Sequence, residues 1–81
     1  MTKQEVINAI QNIGGKVSGE IEICGAPCNK GITIATHSSH SVKYKDKDHE
    51  LVIYEDENGN VHKTNITGPF SQEIKQEAKL S

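Results

Sequence analysis

Val6, Ile7, Ile10 and Ile13, with Ala9 beside them, recur every three or four positions and mark one apolar stripe on a helix. Thr2-Lys3-Gln4-Glu5 reads as a capping box at its start, where the hydroxyl and the carboxylate each meet a free backbone N–H. Gly14-Gly15 supplies the left-handed residue that stops it. From residue 16 the period drops to two. Val17, Ile21 and Ile23 alternate with Ser18, Glu20 and Glu22, as in a strand with one buried face. The turn formers from Gly25 to Gly31 predict a loop, and Ile32, Ile34 and Thr36 a second strand with Thr33, Ala35 and His37 on its other face. His37-Ser38-Ser39-His40 reads as a polar connection. Val42 and Tyr44, alternating with Lys43 and Lys45, predict a third strand that fades into Asp46-Lys47-Asp48-His49.

Residues 51–66 carry a hairpin pattern. Asn58-Gly59 separates Leu51-Val52-Ile53-Tyr54 from the run Val61 to Ile66 and suits a type I′ turn. A two-residue loop there pairs Ile53 with Thr64 and Leu51 with Ile66, leaving Val52 and Tyr54 on the other face with Lys63 and Val61. Gly68-Pro69 ends the sheet. Ser71 caps a last helix with few apolar positions (Phe70, Ile74, Ala78 and Leu80), which is expected to fray. Together these elements predict an α+β fold in one small domain over residues 1–81. An N-terminal helix is followed by a four- to five-stranded, mostly antiparallel meander sheet and a C-terminal helix, with both helices on one face.

Composition limits how robust such a fold is. Ile, Val, Leu and Phe make only 18 of 81 residues, so the core is small. The nine basic residues are all lysine and, against eleven acids, leave a net charge of −2. Lysine lacks the guanidinium fork that reads guanine edges and clamps phosphate. A duplex-RNA-binding helix would also begin with a lysine cluster, where this chain has Ser71-Gln72-Glu73-Ile74. Nucleic acid is therefore not an expected partner. Apolar runs stop at four residues, too short to span a bilayer, and residues 1–13 are too polar for a secretory segment. No membrane association and a cytoplasmic location are the expectations.

Cys24, Cys28, His37 and His40 read as C-x3-C-x8-H-x2-H, a donor set of the kind zinc takes. The intervals are tighter than in the common two-Cys two-His finger. No metal ligand is assigned, and a zinc-stabilised module stands as the alternative to a metal-free domain. The cysteines miss the C-x-x-C spacing and no helix N-terminus follows Cys28 to lower its pKa, so a cysteine-dependent enzyme is the more distant alternative. No metalloprotease helix, nucleophile elbow or phosphate-binding loop is present, and no catalytic residue or cofactor is expected.

Leu51-Val52-Ile53-Tyr54 is apolar on both faces, although only one need meet the helices. Val52, Tyr54 and Val61 are accordingly predicted to form a patch on the outer face. The expected function is non-enzymatic: association with a protein partner or with a second copy as a homodimer, through that patch or a sheet edge.

Overall fold

The chain runs through α1 (Lys3–Asn12), β1 (Lys16–Cys24), β2 (Cys28–Asn29), β3 (Thr33–Ile34), β4 (Thr36–Tyr44), β5 (Lys47–Glu55), β6 (Val61–Thr67) and α2 (Ser71–Glu77). The structure is a computed structural model that describes residues 1–24, 28–29, 33–34 and 36–80, with backbone alone at 23, 24, 28, 29, 33 and 34. Of the loop expected over 25–31 and the strand expected over 32–36, residues 25–27, 30–32 and 35 lie outside the described residues. Of that stretch, Cys28–Asn29 and Thr33–Ile34 pair as a short antiparallel ladder.

α1 is closed at both ends as its sequence requires. The Thr2 hydroxyl accepts from Glu5 N–H at 3.3 Å, and Glu5 Oε1 accepts from Thr2 N–H at 2.8 Å. Gly14, at φ 98°, donates to the Gln11 carbonyl and Gly15 to that of Ile10, a Schellman stop. The main sheet has the order β1-β4-β5-β6, antiparallel throughout, and both helices pack on one face of it. Between the layers lies one cluster: Val6 and Ile10 from α1, Ile74 and Ala78 from α2, and Val42, Tyr44, Leu51, Ile53 and Ile66 from the sheet.

Three local expectations are corrected. The His37-Ser38-Ser39-His40 segment is not a connection but the middle of β4, paired along its length with β5 from Thr36↔Glu55 to Tyr44↔Lys47. Its polar side chains hide the alternation, yet Ser38 and His40 are buried on the same side as Val42 and Tyr44. The type I′ turn is also elsewhere. Lys45 and Asp46, at φ 51° and 63°, form the two-residue turn from β4 to β5. At Asn58-Gly59 only the glycine has positive φ, and the loop closes through Gly59 N–H to Asp56 O and Asp56 N–H to Asn60 O. That is a three-residue loop with a left-handed glycine. A register shift follows between Tyr54 and Glu55, while Ile53↔Thr64 and Leu51↔Ile66 pair as the sequence implies.

The third correction is in β1. Val17 is half-buried and packs against the core, but Ile21 is 70% exposed. The register runs Ser18↔Ser41 and then Glu20↔His40, so Gly19, at φ 67°, is an extra residue bulged out of the ladder. One extra residue reverses the faces. Glu20 turns toward the helix side and Ile21 away from it.

Candidate functional site

The face opposite the helices is assembled row by row from the strand register. One row is Ile21, Ser39, Val52 and Asn65, and the next holds His37, Tyr54 and Lys63. Val52 and Tyr54 are half-buried. The rings of His37 and Tyr54 lie 5.0 Å apart at 38°, and Lys63 Nζ stands 5.8 Å from the Tyr54 ring centre. Ser39 donates to Glu50 Oε2 at 3.0 Å beside them. Of the patch expected from the sequence, Val52 and Tyr54 share this face. Val61 does not. The shift after Tyr54 sets it opposite Glu55, and it packs against the core cluster. Ile21 takes its place. The signal for it was the lone Gly19 within a strand pattern, which marks a bulge and so an exchange of faces.

On the helix side, a polar cluster lies beneath the first turn of α1. Ser38 Oγ and His40 Nε2 are 2.9 Å apart, and both residues are 4% exposed. Glu20 Oε1 is 3.9 Å from the same nitrogen and is ion-paired with Lys3. Burial pushes the His40 imidazole below its ordinary pKa, the Glu20 carboxylate opposing that shift. The Lys3 hydrogen bond lowers the Glu20 pKa, and the reciprocal bond raises that of Lys3. Lys3, Gln4, Ile7, Val17, Gly19, Glu20 and His40 line a shallow cleft of about 400 Å³ above it. Serine, histidine and glutamate meet here, but not as nucleophile machinery. In a triad the carboxylate holds the ring nitrogen remote from the serine. Here both converge on Nε2 and the hydroxyl is shut off from solvent.

A second polar clamp sits at the other end of the sheet. Phe70 N–H donates to His49 Nε2 at 2.9 Å, so Nδ1 carries the proton and donates to the Lys47 carbonyl at 2.9 Å. The rings of Tyr44, His49 and Phe70 meet at about 6 Å, with Lys45 Nζ 5.4 Å and 5.2 Å from the Tyr44 and Phe70 centres. Glu73 of α2 accepts from Tyr44 Oη and pairs with Lys45, both at 2.6 Å. Those bonds lower the Glu73 pKa and raise those of Tyr44 and Lys45. The whole arrangement ties α2 to the β4–β5 turn.

Of the zinc donor set suggested by the sequence, the two histidines are not brought together, and the side chains of Cys24 and Cys28 lie outside the described residues. His37 and His40 fall on opposite faces of β4, one stacked on Tyr54 and the other beneath α1, so the pair cannot share an ion. Cys24 is in register with His37, and Cys28 with Ile34 in the separate β2–β3 ladder. Among the described residues no three His, Cys, Asp or Glu side chains group as a metal site. Nor is any described helix long and apolar enough to cross a membrane. No protein family, no curated protein and no solved structure matches this chain.

Proposed function

We propose that this chain is a non-enzymatic binding module that associates with protein through the helix-free face of its sheet, a second copy of the chain being the partner. The observation that carries the reading is Ile21. It is 70% exposed because the Gly19 bulge turns it outward, into the row of Val52 and next to that of Tyr54. Burying a side chain of this size contributes about 1.5–3 kcal/mol, which the monomer forgoes. Tyr54 adds a large, stiff surface held by His37 and topped by Lys63, the kind of residue enriched at association hot spots.

The test is solution mass by light scattering across a concentration series, for wild type, Ile21→Lys and Tyr54→Lys. Wild type is expected to dimerise at or below about 100 μM, the affinity of a modest interface. Either variant is expected to be monomeric with an unchanged circular dichroism spectrum. A wild-type monomer throughout, or a dimer that both lysine variants retain, overturns the proposal.

A further inference from the structure

We propose that Lys3, Glu20 and His40 form a proton-operated latch between α1 and the sheet: a proton taken by His40 draws Glu20 off Lys3 and frees the first turn of the helix. The geometry behind it is a buried imidazole whose nearest carboxylate, 3.9 Å away, already serves a lysine on another element. The proton comes from solvent, and no covalent bond other than N–H changes. Once charged, the ring carries N–H on both nitrogens, the Ser38 hydroxyl 2.9 Å from Nε2 can turn to accept, and the new positive charge draws in the nearest carboxylate, that of Glu20. Glu20 is within about 1 Å of meeting it, because a charge-assisted hydrogen bond spans about 2.7–2.9 Å. Lys3 and the charged ring then compete for one carboxylate and repel each other.

Among the described residues, the charged groups around the ring are Lys3 from α1, Glu20 from β1 and Glu55 from β5, with Glu22 of β1 acting on Lys3. Glu55 is engaged by the Thr36 hydroxyl at 3.5 Å, and Glu5 by the capping box. Glu20 is therefore the acid best placed to answer. The Lys3 contact also anchors more than one turn. Immediately before it, Thr2 bridges Asn60 and the Met1 carbonyl accepts from Val61 N–H at 2.6 Å, so the chain's first residues lie along the start of β6. Releasing Lys3 loosens that arm as well, and opens the cleft above His40.

Amide hydrogen exchange followed by NMR tests this in wild type, His40→Gln and Glu20→Gln. In wild type, protection at Val6 and Val61 N–H is expected to fall about tenfold from about pH 7.5 to about pH 5, and that at Leu51 and Ile53 by clearly less, as the change in global stability alone requires. Glu20→Gln, an exposed position, is expected to show the reduced protection at both pH values, and His40→Gln the high protection at both. Unchanged wild-type protection overturns the latch. So does an equal fall in His40→Gln, or a parallel loss at Leu51, which would report global unfolding. If His40→Gln does not fold, the Glu20→Gln comparison decides alone.

Discussion

Two histidines show how a single residue's surroundings set its role. His49 is buried with both ring nitrogens bonded, one to a carbonyl and one to a backbone N–H, and its ring fills the space against Gly68. A Cβ added at Gly68 would stand 2.7 Å from His49 Cγ, on a backbone at φ 140° that side chains rarely adopt. Gly68→Ala is expected to cost about 2–3 kcal/mol in a urea melt, from overpacking plus backbone strain. His40 is buried too, and burial holds its pKa below the ordinary 6.5. As pH falls through 6.5 the unfolded chain takes up a proton that the folded chain takes up only at lower pH. The stabilisation is therefore complete above that pH and is lost on descending through the folded value. The urea midpoint is expected to decline from about pH 7.5 to about pH 5, and less so in His40→Gln.

At the scale of elements, the turns carry strain that the sequence leaves in place. The β4–β5 turn sets two side-chain-bearing residues at positive φ, where Asn-Gly is the favoured pair. Glu73 and the two rings hold Lys45 there, whereas Asp46 is exposed and makes no comparable contact among the described residues. Asp46→Gly is expected to raise stability by about 1 kcal/mol, read as a higher urea midpoint with an unchanged slope. α2 ends in the same way. Lys79 holds φ 56° while Lys79 and Leu80 donate to the Gln76 and Lys75 carbonyls, a Schellman stop without its usual glycine. Lys79→Gly is expected to stabilise by about 0.5–1 kcal/mol and to reduce fraying of the last turn, measurable as slower exchange at Leu80 N–H.

Across the whole molecule, one layer of helices covers one face of a four-stranded sheet, and the core is correspondingly short of members. Six of its side chains are essentially inaccessible: Val6, Ile10, Val42, Leu51, Ile53 and Ile74. A domain of this length has total stability on the order of 4–12 kcal/mol, and truncating one buried leucine removes about 2–5 of it. Leu51→Ala, at the centre of the sheet beneath the helices, is expected to leave the chain largely unfolded on mild heating, as seen by circular dichroism. Ile21→Ala, at a position 70% exposed, is expected to leave the monomer's stability within about 0.5 kcal/mol.

What the sequence determined by itself is local. The α1 stripe, its capping box and the Gly14-Gly15 stop follow from residues within one or two turns of each other. The pairing of Leu51 with Ile66 and Ile53 with Thr64 is expected from a two-residue loop, and it holds with a three-residue loop because the shift between Tyr54 and Glu55 takes up the extra residue. The helix–sheet–helix order follows from those segments in turn. The faces, by contrast, are set by how the strands pair in three dimensions. A bulge at Gly19 and a shift after Tyr54 each insert one residue into a period of two, and the side chains next beyond them change sides. Ile21 goes out, Glu20 and Val61 go in, and the histidines of β4 part to opposite faces because their separation of three is odd. Ser38 and His40 lie on the buried side with one hydrogen bond between Oγ and Nε2 offsetting the burial of both, a compensation that alternation of apolar residues does not record.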